Sequence, residues 1–128
     1  MAIAVESSAV NVKMANAETT RFRFIVGTGG VTAGQIVAMA TDGVVPAEGS
    51  SAGGPPIGIA LGTVTATHTV DVVTHGPVNC VTGAAEGSEV YPSDGTAGAP
   101  THTASTKKVS VGFAQSATLV FVRPIYIA

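Results

Sequence analysis

The sequence predicts a mainly β protein: a compact β-barrel or β-clip-like body built from two similar halves, with an extended N-terminal arm. Three observations predict it. First, the chain says nearly the same thing twice. Gly34-Gln35-Ile36-Val37-Ala38-Met39-Ala40-Thr41-Asp42-Gly43 is echoed by Gly87-Ser88-Glu89-Val90-Tyr91-Pro92-Ser93-Asp94-Gly95. Pro56-Ile57-Gly58-Ile59-Ala60 is echoed by Ser110-Val111-Gly112-Phe113-Ala114, and Val70-Asp71-Val72-Val73 by Leu119-Val120-Phe121-Val122. The offsets are 52 (Asp42 to Asp94), 54 (Gly58 to Gly112) and 49 (Val70 to Leu119), a drift that loop insertions and deletions produce. Repeated groups of short strands suggest a scaffold that pairs two similar units. Second, turn signals recur roughly every 8–12 residues between β-branched runs. Third, no stretch of about ten residues carries a 3.6-residue apolar period.

The elements follow in order. Residues 1–20 form the arm: Ile3 and Val5, then Val10, Val12 and Met14, alternate with the period of a strand, interrupted at Ser7-Ser8-Ala9. No partner for this arm is evident in the repeated body. Residues 21–128 form one β domain, with the two copies spanning about 31–78 and 84–126. Arg21-Phe22-Arg23-Phe24 opens a strand with arginine on one face and phenylalanine on the other. Gly27-Thr28-Gly29-Gly30 is a turn; it lacks the Lys-Ser/Thr and the following helix of a phosphate loop. Residues 35–40 are a strand, Asp42-Gly43 a tight hairpin turn, and Val44-Val45-Pro46-Ala47 the return strand, with Pro46 at an edge or end. Residues 57–64 and 67–74 are strands, Gly76-Pro77 turns the chain, and 78–81 is a short strand. The second half repeats the pattern: a turn at 83–87 with room for one helical turn, strand Val90-Tyr91, a turn at Asp94-Gly95, a loop over 95–106, and strands at 109–113 and 119–126.

Composition narrows the function. At 128 residues the chain is long enough to bury a core as one domain. Only 11% of residues are charged, against roughly 25% in an average soluble protein. Residues 24–41, 49–70 and 109–122 carry no Asp, Glu, Lys or Arg. A surface this poor in charge favours a stable oligomer or docking onto a larger assembly. The net charge is −2 and Lys107-Lys108 is the sole basic pair, so the clustered basic footprint of a nucleic-acid binder is missing. The uncharged runs are broken by Gly, Pro and Ser and do not read as membrane spans. The first residues lack the basic start of a signal peptide and meet Glu6 early, and a lone Cys80 allows no internal disulfide. Both point to synthesis in a reducing cytoplasm.

Residue chemistry nominates no catalytic, cofactor or metal site. His68 and His75 have opposite strand parity, and with Asp71 or Cys80 they lack the close spacing of a zinc ligand set. Cys80 sits in a strand with no helix N-terminus or basic neighbour to activate it. His102 lies in the long loop. Asp71 stands inside an apolar strand, either facing outward or paired with a charge at an interface. The reading is therefore a protein that is not an enzyme and holds no cofactor.

With these strands placed, the pattern resembles the small head decoration, or capsid cement, proteins of tailed phages. The motifs that carry the resemblance are Val31-Thr32-Ala33-Gly34-Gln35-Ile36-Val37, the hairpin Asp42-Gly43-Val44-Val45-Pro46-Ala47, Ile57-Gly58-Ile59-Ala60, and Val70-Asp71-Val72-Val73-Thr74-His75-Gly76-Pro77-Val78; it covers roughly residues 21–126. The resemblance implies a structural protein on the outer capsid surface of the virion, made in the host cytoplasm, that stabilises the assembled head by bridging subunits. It implies the major capsid protein as partner, a homo-oligomer with a trimer favoured, and no nucleic-acid or membrane partner. It also implies an N-terminal arm that meets the capsid, here through Ile3, Val5, Val10 and Val12, ordered only on docking. Two alternatives stand beside it: a small cytoplasmic β-domain that binds a small molecule or acts as a hydrolase around Asp71, His68 and His75, and a phage fibre or tail-tube component.

Overall fold

The computed structural model describes residues 4–5, 13–14, 19–48, 55–103 and 110–125. Among them are twelve strands and no helix: β1 (Ala4–Val5), β2 (Lys13–Met14), β3 (Thr20–Ile25), β4 (Ile36–Ala40), β5 (Gly43–Pro46), β6 (Pro56–Ala60), β7 (Thr69–Asn79), β8 (Val81–Thr82), β9 (Glu89–Pro92), β10 (Pro100–Thr101), β11 (Ser110–Ala114) and β12 (Leu119–Ile125). The main sheet runs β10-β9-β11-β12-β7-β6-β4-β5, every neighbouring pair antiparallel. It curls into a half-barrel, as the right-handed twist of many short β-branched strands drives it to do.

The order reads the same from both ends. In the first half β5 pairs β4, β4 pairs β6 and β6 pairs β7; in the second β10 pairs β9, β9 pairs β11 and β11 pairs β12. The long β7 serves both halves. Near its start it lies between β6 and β3, and near its end between β12 and β2. Residues 76–79 of β7 flank β12 as β3 flanks the start of β7.

The ladders fix which residues correspond. Val37 opposes Gly58 as Val90 opposes Gly112, and Ala60 opposes Val72 as Ala114 opposes Val120. The strand entries match bond for bond: Gly34 N–H donates to Ala60 O at 2.9 Å, and Gly87 N–H to Ala114 O at 2.8 Å. Ala60 N–H donates to Gln35 O at 3.0 Å, and Ala114 N–H to Ser88 O at 2.9 Å. The last strands correspond at an offset of 48 (Val72 to Val120), one residue from the 49 read in the sequence. A run that is apolar at nearly every position does not set its own phase, whereas a one-residue slip in the ladder would reverse every side chain.

Repeated glycines have a repeated cause. A Cβ on Gly58 would overlap Val73 O, and one on Gly112 would overlap Phe121 O. Val73 and Phe121 are equivalent positions, so the Gly-x-Ala echo marks where one strand's backbone presses on the next.

The two Asp-Gly pairs lie in the same connection but in different turns. Thr41-Asp42 is a two-residue loop closing Ala40 onto Gly43, so the tight turn sits one residue earlier than the dipeptide suggests. Gly43 is needed because Ile25 O and Gly27 N occupy the space of a Cβ, and its φ is +143°. The Asp42 carboxylate accepts from Thr28 Oγ1 at 2.6 Å and Thr28 N–H at 3.0 Å, tying this hairpin to the 26–30 turn. Asp94-Gly95, expected as a tight turn, instead lies in the longer 93–99 loop between β9 and β10, where Ser93 Oγ accepts from Gly95 and Thr96 N–H. There a longer loop shaped by the Ser93 side chain takes the place of the tight turn, and β9 and β10 still pair across it.

The Asp42 bonds make a pH prediction. The Thr28 hydroxyl, and then its N–H, hold the Asp42 carboxyl below its ordinary 3.8. Because the folded value is depressed, the stability it contributes is present above 3.8 and is lost as pH falls through the lowered value. An NMR titration should find Asp42 titrating below 3.8 and Thr28→Ala moving its midpoint up; an unmoved midpoint would remove Thr28 as the cause.

Two apolar clusters fill the body. One gathers Val26, Val31, Val37, Val44, Ala60, Val70 and Val72 within the first half. The other joins the halves: Ile36, Ile59 and Val73 pack with Val78, Cys80, Val81, Val90, Val111, Val120 and Val122. Every core side chain is aliphatic or small, as the scarcity of aromatics requires.

Two further expectations are corrected. Gly76-Pro77 is no turn: β7 runs through it, and Gly76 takes a φ of +113° against the backbone of Thr19 while Thr19 Oγ1 donates to Pro77 O. The conformational freedom of glycine lets β7 pass from one half to the other unbroken. The arm is not without a partner inside the chain: β1 pairs β8 (Val5 opposite Val81), and β2 pairs β7 (Lys13 opposite Asn79, Met14 opposite Val78). These strand edges offer the arm the same backbone groups that an outside sheet would. Deleting residues 2–15 should therefore lower the melting temperature of the body; unchanged melting would show that these pairings contribute nothing. Ile3, Val10 and Val12 lie outside the described residues.

Candidate functional site

The candidate surface is built on β3. Its cross-strand neighbours on β7 set two faces. On one, Arg21, Arg23 and Ile25 stand opposite Val73, Asp71 and Thr69; on the other, Phe22 and Phe24 stand opposite Val72 and Val70. Phe24 packs on the first-half cluster, but Phe22 remains 59% exposed and Ile25 56% exposed. Among the described residues every ladder partner of β3 belongs to β7.

Asp71 proves to be a paired charge. Arg21 Nη1 donates to its Oδ2 at 2.7 Å and Arg23 Nε to its Oδ1 at 3.3 Å. Two guanidinium groups share one carboxylate, leaving a local excess of one positive charge. The arginine side chains are 52% and 70% exposed, so the pairs add little stability. Beside them opens a depression of about 400 Å³ lined by Arg23, Leu61, Gly62, Val64, Thr69, Val70 and Asp71.

A second surface lies on β9, β11 and β12. Phe113 stacks on Phe121 (centroids 5.3 Å, planes 16° apart), His75 meets Phe121 edge-on at 5.3 Å, and Arg123 lies 5.4 Å over the Phe113 ring. Glu89 accepts from Arg123 Nη2 at 3.2 Å and from the buried Ser110 hydroxyl, which in turn accepts from Gly112 N–H. In the first half the equivalents of Glu89, Phe113 and Phe121 are Ile36, Ile59 and Val73, all buried between the halves. In the second half this row is only partly buried and carries a charge, as the outer face of a repeat array does.

The sequence-nominated residues are not brought together. His68 Nδ1 lies 3.1 Å from Thr65 Oγ1. His102 accepts from Ala85 N–H at Nε2 (2.9 Å), so the Nδ1 that lies 2.8 Å from Glu89 O is the donor there, and the ring ties the 83–87 turn to the start of β9. Cys80 is buried in the cluster that joins the halves. Among the described residues no three His, Cys, Asp or Glu side chains form a metal-sized group. What the arrangement offers is contact surface. The Arg-Phe alternation of 21–24 was the available signal for β3, but alternation does not reveal which face stays bare. The Glu89-Ser110-Arg123 network has no signal in the linear sequence, because its members are 13 to 34 residues apart on three strands.

Comparison of the chain with family models, with curated protein sequences and with solved structures finds no match.

Proposed function

We propose that this chain is a structural protein that decorates the outer surface of an assembled tailed-phage head, as a homo-oligomer, and stabilises the head by bridging capsid subunits. The observation that carries the reading is the exposed strand β3, with Phe22 and Ile25 more than half bare on a chain of very low charge. The capsid-type motifs quoted above sit on the elements that build this body: the β4–β5 hairpin, β6 and β7. Such a protein works by mass action. Anything that binds the assembled shell and not its separated subunits stabilises the shell in proportion to occupancy. The major capsid protein is the partner, and no catalytic step is required.

The test adds purified protein to expanded heads that lack it. Saturable occupancy of the outer surface, with a rise in the temperature at which heads rupture, is expected. Heads that retain none of the protein would overturn the reading. Light scattering on the free protein should return a closed oligomer, with a trimer favoured; open polymers would point instead to a fibre or tube component.

A further inference from the structure

The two halves differ at one edge. Residues 76–79 of β7 correspond to β3: Val78 opposes Val120 as Phe22 opposes Val72, and Asn79 opposes Leu119 as Arg23 opposes Asp71. In the second half the outer side of this strand is covered, because β2 pairs with Val78 and Asn79, and Val78 is fully buried. In the first half no described strand takes the corresponding place beside β3, and Phe22, the counterpart of Val78, is 59% exposed. Among the described residues the fold thus fills this position once and leaves it open once.

The charges say what fits. β2 sets Lys13 opposite Asn79, a neutral residue. The counterpart of Asn79 is Arg23, so a β2 from a second copy would bring lysine against arginine. A two-fold pairing of β3 with its own copy, centred on Phe22 or on Arg23, sets arginine opposite arginine. Like charges directly opposed destabilise a strand pair, and opposite charges support it. Arg21 and Arg23 already share the single carboxylate of Asp71. The strand that completes this edge carries acidic side chains on the arginine face and apolar ones beside Phe22.

We propose that β3 is a strand-addition site for an extended acidic segment of the capsid protein on which this chain docks; the identity of that partner rests on the function proposed above. Backbone pairing supplies the attraction, and the arginines select the register and the acidic partner. This places docking on β3, whereas the sequence placed it on Ile3, Val5, Val10 and Val12.

The test uses the full chain, labelled with ¹⁵N, and three blocked hexapeptides that alternate valine with glutamate, glutamine or lysine. The glutamate peptide should shift the amides of residues 20–25, bind more weakly as salt rises, and bind about tenfold more tightly than the glutamine peptide. The double variant Arg21→Gln, Arg23→Gln should fold, since exposed pairs contribute little, and should lose that preference and most of its occupancy on heads. Equal binding of the lysine peptide, or shifts confined to other strands, would overturn the site. Occupancy of heads by the parent chain separates the two ideas. If the parent binds heads and the double variant binds equally well, β3 is overturned as the docking site and the decoration reading stands. If the parent is absent from heads, the decoration reading falls with the partner named here.

Discussion

Gly112→Ala should cost about 3 kcal/mol of folding stability, the upper end of what overpacking does in a closed core. The added methyl would overlap Phe121 O, which is backbone and not the yielding tip of a side chain. To make room, β11 and β12 must separate, and that ladder is part of the second half's core. Gly58→Ala should behave alike against Val73 O, because the two glycines occupy the same place in the two halves. A native domain holds only about 5–15 kcal/mol in total, so either change threatens the fold. Gly95→Ala is the control: nothing lies within 4 Å of its Cβ, and its effect should stay within about 0.5 kcal/mol. Urea denaturation of the three variants checks this. A midpoint for Gly112→Ala close to that of the parent would show that the strands are not pressed together as described.

Ile59→Ala should cost about 2–5 kcal/mol, the range for truncating a fully buried isoleucine. Ile59 is 1% exposed and belongs to the cluster that locks the first half onto the second. Its counterpart Phe113 is only partly buried, so Phe113→Ala should cost less despite removing a larger side chain. Equal losses at the two sites would mean that the second row is covered as the first is, and would contradict the outer-unit reading of Glu89 and Arg123.

Much of the fold was legible because short β-branched runs, glycine spacing and turn residues act locally. The echo of Gly34 by Gly87 and of Gly58 by Gly112 marked equivalent backbone positions because each glycine answers the same steric demand. The failures lie where local signals do not decide. Gly76-Pro77 reads as a turn by composition, yet tertiary pairing on both sides carries β7 straight through it. Asp94-Gly95 reads as a hairpin, yet the connection is longer and Ser93 shapes it. The arm seemed to lack a partner because β8 and the end of β7, to which Val5 and Lys13-Met14 pair, are distant in sequence. For the same reason alternation at 21–24 identified a strand but not its open edge. Only the comparison of β3 with residues 76–79 of β7 shows that, among the described residues, no strand takes the corresponding place beside β3.

The most direct measurement is hydrogen exchange of the full chain, free and on assembled heads. The account predicts that the β3 amides pointing away from β7 exchange quickly in the free protein and slow markedly on the head, while the β3 amides bonded to β7 and those of the buried ladder between β6 and β7 are already slow and stay so. Protection confined to residues 1–20 would return docking to the arm. A chain that is not retained on heads, or that exchanges identically in both states, would contradict the claim that it is a structural protein docked through this strand.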